Sequence, residues 1–190
     1  MDNKLQQKWN SIYQKKTLDS LHVSKVLADN THLLPKQGLA LELACGQGAN
    51  TFHLAQQGLN VDAWDISTVA IEKIKSNRSY TANIRPLVRD LTNGDIPKAH
   101  YDVIVVSRFL QRDLTSKIIA ALKPQGLLFY QTFIIDKTQE IGPSNELFLL
   151  AENELLTLFS PLTLIHYREE GSLGDTQQGF RNEAMLIAKR

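Results

Sequence analysis

Polar side chains and glycines follow four short apolar runs of the chain, at points where strands of a parallel sheet would end. The first group runs from Glu42 to Gly48, and Gly46 and Gly48 permit tight backbone geometry and a close approach of main-chain N–H groups to a ligand. The other groups are Asp65-Ile66-Ser67, Arg89-Asp90-Leu91 and Ser107-Arg108-Phe109. Ligands of open α/β sheets bind beyond the carboxyl ends of the strands. The four groups are therefore predicted to line one binding site.

The carboxylates in these groups suit the hydroxyl and amino groups of a nucleoside. Asp65 can accept hydrogen bonds from both ribose hydroxyls of an adenosine, because an ionised carboxylate has two acceptor oxygens. Asp90 could accept from the adenine amino group while Leu91 packs on the ring. Each residue also has a structural interpretation, since aspartate commonly caps helices and starts turns. Their joint order along the chain favours the nucleoside site.

The spacing of the glycines distinguishes two classes of nucleoside site. A dinucleotide site uses the pattern Gly-x-Gly-x-x-Gly, in which the third glycine allows close helix–strand packing. Counted from Gly46, the third glycine position is occupied by Thr51. This counts against NAD, although Asp65 would suit it.

These segments resemble the class I S-adenosylmethionine (SAM)-dependent methyltransferases, whose first motif runs acidic-x-Gly-x-Gly-x-Gly. Glu42, Gly46 and Gly48 match this motif, and Ala44 replaces its first glycine, which the loop should tolerate if that residue does not need a positive φ. Lys123-Pro124-Gln125-Gly126 resembles the turn before the fifth strand, and Gln125 is subject to the same condition. The resemblance implies SAM as cofactor, S-adenosylhomocysteine as product, and a seven-stranded sheet whose last strand is antiparallel.

More narrowly, the chain is similar to small bacterial methyltransferases related to the tellurite-resistance enzymes. The segments that carry this similarity are Trp9-Asn10-Ser11-Ile12-Tyr13, Ser107-Arg108-Phe109-Leu110, and Gly142-Pro143 followed by Phe148-Leu149-Leu150. The similarity implies a small-molecule methyl acceptor, such as a thiol or an oxyanion of tellurium or selenium.

Methyl transfer from a sulfonium is an in-line displacement that depends mainly on positioning and exclusion of water, so a soft or ionised acceptor needs no general base. Tyr13 and Arg108 are the catalytic candidates. Trp9 and Tyr13 lie four residues apart and share a helix face, where they could close over the cofactor or pin the helix to the core. Arg108 could attract an anionic acceptor or pair with an acidic side chain.

The cofactor-binding residues expected from these motifs come from the segment that contains Trp9 and Tyr13 and from the four groups that follow the predicted strands. They are Trp9, Tyr13, Glu42, Ala44, Cys45, Gly46, Gly48, Asp65, Ile66, Ser67, Asp90, Leu91, Ser107 and Arg108. The five histidines have no paired spacing, so no metal is assigned. Cys45 is interpreted as a small packing residue of the turn rather than a reactive thiol.

Short apolar runs that alternate with helical segments must position these residues, which is typical of a parallel sheet covered by helices. The predicted strands are Leu39 to Leu43, Val61 to Trp64, Ile84 to Val88, Val103 to Val106 and Leu127 to Tyr130, with an antiparallel pair at Leu162 to Tyr167 and Ala184 to Ala188. The predicted helices are Lys4 to Gln14, Leu21 to Asp29, Ala49 to Gln57, Ser67 to Ser76, Thr115 to Leu122 and Asn153 to Phe159, and Phe133 to Leu150 is predicted to be a long loop.

The fold class is therefore α/β, a Rossmann-like three-layer sandwich with a seven-stranded, mostly parallel sheet and additional N-terminal helices. We expect a single domain over residues 1–190, with a helical cap at 1–35 and a Rossmann-like core at 36–190. Basic and acidic side chains number 21 and 20 and are mixed along the chain, which argues against a nucleic-acid partner. No apolar stretch is long enough for a signal sequence or membrane span, so a cytoplasmic bacterial protein is expected. The alternatives are an NAD-dependent oxidoreductase and a SAM-binding module without catalysis.

Overall fold

A computed structural model of the protein describes residues 3–16, 22–77, 79–92 and 95–190. Seven strands form one sheet of order β3-β2-β1-β4-β5-β7-β6. The strands are β1 Leu39–Leu43, β2 Asn60–Asp65, β3 Ile84–Val88, β4 Tyr101–Ser107, β5 Leu122–Phe133, β6 Thr163–Arg168 and β7 Glu183–Lys189. Strand β7 alone runs antiparallel to both of its neighbours. The predicted mostly parallel sheet with an antiparallel last strand is confirmed.

Six α-helices accompany the sheet in the described ranges. They are α1 Asn3–Lys15, α2 Lys25–Ala28, α3 Ala49–Gln56, α4 Thr68–Ser76, α5 Thr115–Ala121 and α6 Glu154–Leu158. None of these helices combines the length and apolarity that a membrane span requires. The helix predicted from Leu21 to Asp29 was too long, because only Lys25–Ala28 is α-helical and residues 22–24 are not. Leu21 itself lies outside the described residues.

Alternation along the central strands places successive side chains on opposite faces of the sheet. On β1, Leu41 and Leu43 pack in a core cluster with α5 and α6, whereas Ala40 packs with α2 and α3 on the other face. A third, smaller cluster joins α3 and α4 to β2 and β3. Helices therefore cover both faces of the sheet, which leaves its carboxyl edge as the place where loops and polar side chains gather.

Strand β5 is longer at both ends than the predicted Leu127 to Tyr130. Strand β5 begins at Leu122, five residues before the predicted start, so the Lys-Pro-Gln-Gly turn lies within the strand's bounds. Gln125 in that turn has a φ of 67°, in the left-handed region, so the condition placed on it by the sequence is not met. Its N–H donates to the carbonyl of Arg190, and this contact holds the turn to the last residue. The predicted loop from Phe133 to Leu150 begins one residue later than expected, because Phe133 is the last residue of β5. Residues 134–150 contain one 3-10 turn, Glu146–Phe148, and an isolated bridge between Ile134 and Leu150.

Candidate functional site

The glycine turn follows β1 at the carboxyl edge of the sheet. Its residues Ala44, Gly46 and Gly48 have φ values of 53°, 54° and 86°. The condition that the sequence placed on Ala44, that it need no positive φ, is therefore not met, and the turn forms with a Cβ in the left-handed region. A Cβ at Gly46 would lie 2.9 Å from the Tyr13 hydroxyl oxygen, and one at Gly48 would lie 2.9 Å from Ile74. Both glycines are thus required by close packing as well as by backbone conformation.

Main-chain N–H groups of this turn donate within the protein. Cys45 N–H donates to the Trp64 carbonyl at 3.0 Å, Gly46 N–H to Asp65 Oδ2 at 2.8 Å, and Gly48 N–H to the Cys45 carbonyl at 3.0 Å. These N–H groups are directed to protein acceptors in this structure, and the approach of main-chain N–H groups of the turn to a ligand stays a prediction. The turn is tied to the end of β2 by the hydrogen bonds to Trp64 and Asp65, which fix its position.

Asp65 is the residue that joins the first two strand ends. It is buried, and its second oxygen, Oδ1, accepts from Ser67 N–H at 2.8 Å. The capping of α4 falls to Ser67, whose Oγ accepts from Ala70 N–H at 3.2 Å. Burial raises the pKa of Asp65, while the N–H donors of Ser67, Gly46 and Ile66 lower it. The carboxylate therefore accepts one hydrogen bond from the glycine turn after β1 and one from the segment after β2, which form two sides of the predicted nucleoside site.

Glu42, on β1, is buried beneath the turn. Asn50 Nδ2 donates to its Oε1 at 3.0 Å, and the Thr51 hydroxyl donates to its Oε2. Burial raises the pKa of Glu42 to about 7, because desolvation outweighs the hydrogen bonds from Thr51 and Asn50. Thr51 occupies the third glycine position of a dinucleotide motif, and here its side chain is committed to Glu42.

Residues after β3 form a compact turn beside the same edge. Asp90 Oδ1 accepts from the Thr92 N–H at 3.0 Å and from the Thr92 hydroxyl at 2.6 Å, which is the turn-starting role that the sequence allowed. Leu91 is buried in the core cluster that also contains Trp64. The guanidinium of Arg89 lies 4.0 Å from the centre of the Trp64 ring. These contacts bring the third strand end next to the second.

Helix α1 lies across the ends of β1 and β2. Gln6 Nε2 donates to the Ile66 carbonyl at 2.9 Å, and Asn10 Oδ1 accepts from the Ser67 hydroxyl at 2.7 Å. The Trp9 and Tyr13 rings stack with centroids 5.8 Å apart. Burial, followed by the charge of Asp65, raises the pKa of the Tyr13 hydroxyl, so it stays protonated. The polar anchors Gln6 and Asn10 were missed by the sequence analysis, although their spacing from Tyr13 puts all three near one helix face.

The end of β4 meets the beginning of β7. Arg108 has a φ of 54°, and its Nε donates to Glu183 Oε1 at 2.7 Å. The Gln131 amide, at the end of β5, donates to Glu183 Oε2. The Arg108 side chain is 65% exposed and that of Glu183 only 6%. Of the two interpretations left open by the sequence, the structure contains the ion pair with an acidic side chain.

A cavity of about 330 Å³ opens beside this pair. Its walls come from the ends of β4 and β5, the connection between β6 and β7, the start of β7, the start of α2 with the chain before it, and the long loop. They are formed by His22, Val23, Ser24, Lys25, Ser107, Arg108, Gln131, Ile141, Gly179, Phe180, Arg181 and Glu183. The sheet order puts this cavity on the β4-β5-β7 side of the edge and the glycine turn on the β1-β2-β3 side. Gln131 and Glu183 lacked a sequence signal, because nothing local marks a buried polar residue as part of a site.

The buried network continues between the two sides. Asn50 Oδ1 accepts from the Ser24 N–H at 2.8 Å, and Gln131 Oε1 accepts from the Val26 N–H at 2.7 Å. The segment before α2 is therefore pinned to α3 at one end and to β5 at the other. It forms a bridge from the glycine turn to the cavity.

Two negative expectations concern the chemistry of the site. Within the described ranges, no group of three or more His, Cys, Asp or Glu side chains could hold a metal ion. Cys45 is buried, and burial raises the pKa of its thiol, which agrees with a packing role. Trp64 Nε1 is buried without a hydrogen-bond partner among the described residues.

Comparisons with known proteins point to one family. The family model for the tellurite resistance protein TehB matches residues 5–186. A TehB from Haemophilus influenzae is 29% identical over 156 residues, which cover 78% of this chain and 54% of the relative. The chain thus spans about half the length of that curated relative.

Solved structures share the fold at low identity. The crystal structure of TehB from Haemophilus influenzae has a TM-score of 0.69 at 24% identity and covers 96% of this chain and 67% of its own. A TehB-like SAM-dependent methyltransferase from Corynebacterium glutamicum has a TM-score of 0.65 at 16% identity and covers 100% of both chains. These likenesses establish the Rossmann-like fold.

Proposed function

This chain belongs to the tellurite resistance protein TehB family, and we propose that it is a SAM-dependent methyltransferase that acts on a small molecule. The observation that carries the proposal is buried Asp65 at the end of β2, bonded to the glycine turn after β1. The relative from Haemophilus influenzae is named as a probable SAM-dependent methyltransferase and the similar structure from Corynebacterium glutamicum as a SAM-dependent methyltransferase, which supports the same reaction. Their bacterial sources support a bacterial origin, and the cytoplasmic location expected from the sequence stays a prediction.

The donor set on the β1-β2-β3 side fits the nucleoside of SAM. An ionised carboxylate has about four lone-pair positions, and two of those on Asp65 are used by Gly46 and Ser67. The remaining positions would accept from the ribose hydroxyls. Asp90 and Leu91 would serve the adenine, and the backbone of Ala44, Cys45, Ile66 and Ser67 would form the walls around the sugar.

The methionine end of SAM would lie between α1 and the ends of β1 and β4. Trp9 and Tyr13 would cover it, Glu42 and Gly48 would lie below it, and Ser107 and Arg108 would face its reactive end. When bound, SAM supplies a methyl group on a positively charged sulfur, so the activation comes with the cofactor. The chain's own task is to orient the two reactants and to exclude water, for which a cover of aromatic rings and a buried turn are suited.

The cavity of about 330 Å³ would hold the methyl acceptor. Ser107 and Arg108 border this cavity, and Ser107 is the last residue of β4, the strand next to β1, so an acceptor in the cavity would approach from the side opposite the ribose. Thiols and oxyanions of tellurium or selenium are the candidate acceptors. The product of the cofactor would be S-adenosylhomocysteine.

Two features oppose the NAD-dependent alternative. Thr51 takes the place of the third dinucleotide glycine, and its hydroxyl is bonded to Glu42. Dinucleotide-binding sheets have the order 3-2-1-4-5-6, whereas this sheet inserts an antiparallel β7 between β5 and β6. Isothermal titration calorimetry with SAM, S-adenosylhomocysteine and NAD tests the choice. We expect binding of the first two, and NAD binding without a SAM signal would refute the proposal.

Catalysis is separated from mere binding by turnover. The protein is incubated with methyl-labelled SAM and either a thiol or selenite, and labelled product is counted. We expect label in at least one acceptor. A protein saturated with SAM that labels none of them would favour the non-catalytic binding module.

A further inference from the structure

Helix α1 is attached to helix α4 at two places. At the first, Asn10 Oδ1 accepts from the hydroxyl of Ser67, the residue that caps α4, at 2.7 Å. At the second, further along both helices, Lys73 Nζ donates to the carbonyls of Tyr13 and Lys16, at 2.6 Å each. Each helix therefore supplies a polar side chain to one end of the other.

The Lys73 contact satisfies polar groups at the end of α1. The last four carbonyls of an α-helix have no partner within the helix, and the helix dipole favours a cation near them. Tyr13 carries one of these carbonyls, since α1 ends at Lys15. The Lys16 carbonyl also accepts from the side-chain amide of Gln47, in the glycine turn, at 3.3 Å. Lys73 therefore ties α1 to α4 at the point where the end of α1 meets the glycine turn.

Apolar packing contributes little to the attachment of α1. None of its residues 4–15 is buried, and none of them belongs to the three clusters of the core. Packing is the main source of helix stability in proteins, and a helix of 13 residues is marginal by itself in water. Hydrogen bonds such as those of Lys73 thus carry a large share of the attachment. Detachment of α1 would break these bonds and unfold the helix.

The position of Tyr13 makes this attachment relevant to the cofactor. Its hydroxyl oxygen lies so near the glycine turn that a Cβ at Gly46 would be only 2.9 Å away. Trp9 stacks on the Tyr13 ring, and in the proposed function both rings cover the methionine end of SAM. A covered ligand enters or leaves only when its cover moves away. The bonds from Lys73 would break each time this happens.

We propose that Lys73 is a positioning residue that holds Tyr13 over the glycine turn and limits how often α1 opens to let the cofactor in and out. The identity of the ligand rests on the proposed methyltransferase function. Because Lys73 donates to main-chain carbonyls at the end of α1, its bonds stabilise the closed position equally with and without the cofactor. Losing them should raise the open fraction of both forms by the same factor. Association and dissociation then accelerate together, and the Kd stays nearly constant.

Stopped-flow fluorescence, to which Trp9 in the cover contributes, measures both rate constants for S-adenosylhomocysteine. The proteins compared are the unaltered chain, Lys73→Met and Lys75→Met. Lys75→Met is the matched control, because Lys75 also lies on α4 but pairs with Glu72 on the exposed side. Lys73→Met should raise both rate constants about tenfold through loss of a charge-assisted hydrogen bond and change the Kd less than about threefold. Lys75→Met should change none of the three.

Two results would overturn the proposal. Unchanged rate constants in Lys73→Met would mean that its bonds do not limit the opening of α1. Faster dissociation with unchanged association, and hence a weaker Kd, would mean that Lys73 only supports the shape of the site. If Lys73→Met does not fold, Lys73→Gln takes its place, since glutamine is also compatible with a helix and lacks the charge.

Hydrogen exchange tests the attachment separately from the cofactor. In protein without ligand, the amides of residues 10–15 should exchange about tenfold faster in Lys73→Met than in the unaltered protein or Lys75→Met, because exchange follows the open population. Equal exchange in all three would contradict the role of Lys73. An unaltered protein that does not bind S-adenosylhomocysteine would refute the proposed function, while hydrogen exchange would still decide whether Lys73 holds α1.

Discussion

Replacing Glu42 with glutamine should remove a pH dependence from the stability of this protein. Glu42 is buried, and its pKa is raised from the ordinary value of 4.5 to about 7, first by burial and then by the charge of Asp65, against the hydrogen bonds from Thr51 and Asn50. A carboxyl whose pKa is higher in the folded than in the unfolded state stabilises the fold while it is protonated. Its contribution is complete below pH 4.5 and is lost as the pH rises through 7.

The size of the effect follows from that difference in pKa. Each pKa unit corresponds to about 1.4 kcal/mol, and between pH 5 and pH 8 the contribution of Glu42 to the free energy of unfolding should fall by about 2–3 kcal/mol. Glutamine has nearly the same shape and does not titrate. It can still accept from Asn50 and donate to Thr51, so the variant should fold.

Urea unfolding of both proteins at pH 5, 6, 7 and 8 measures the effect. The free energy of unfolding of the unaltered protein minus that of Glu42→Gln should decrease steadily as the pH rises. Glu72→Gln, which removes a carboxyl from the solvent-exposed side of α4, is the control for loss of one charge. A difference that stays constant within about 0.5 kcal/mol over this range would refute the buried, protonatable state of Glu42.

Three further predictions test other parts of the structure. Asp65→Ala should weaken SAM binding in calorimetry by about 1–3 kcal/mol through loss of charge-assisted hydrogen bonds. The control is Asp102→Ala, which removes a carboxylate that accepts from the Leu39 N–H at the opposite edge of the sheet and should leave SAM affinity unchanged. Gln125→Gly should stabilise the protein to urea by about 0.5–1 kcal/mol because φ at residue 125 is 67°, while Gln57→Gly, at a φ of −78°, should destabilise it. Arg112→Ala removes donors to the Leu147 and Leu149 carbonyls and should speed hydrogen exchange at the Leu150 amide about tenfold, and an unchanged rate would show that the loop holds itself.

Much of the fold could be predicted because its signals are local. The runs Leu39 to Leu43 and Ile84 to Val88 are strands with the predicted bounds, since β-branched and leucine-rich runs between polar turns identify buried strands. The long loop after β5 was predicted from the lack of any period. The start of β5 was missed, because Lys123-Pro124-Gln125-Gly126 resembles a turn. In the structure these residues lie in an irregularity of the strand, between the pair Leu122–Tyr101 and the pair Leu127–Val103.

Backbone conformation at the substituted glycine positions was not predictable in the same way. Ala44 and Gln125 each adopt positive φ, although the sequence analysis made tolerance depend on its absence. An isolated left-handed residue costs only about 1–2 kcal/mol, which surrounding packing and hydrogen bonds can supply. The residue type determines how much free energy a positive φ costs. Contacts with the neighbouring parts of the chain determine whether that cost is offset.

The site shows the same difference between what the sequence determines and what the tertiary structure determines. The residues concerned are Glu42 through Gly48, Asp65 and Asp90. Sequence alone determined that a glycine turn and two carboxylates follow successive strands, because strand order fixes which residues end at the carboxyl edge. Only the tertiary structure decided that Gly46 N–H donates to Asp65 and that α1 covers the turn. It also decided that Arg108 forms an ion pair with Glu183, which lies 75 residues later in the sequence. Such partners depend on which strand lies beside which, and the antiparallel insertion of β7 next to β5 is what brings Glu183 to Gln131 and Arg108.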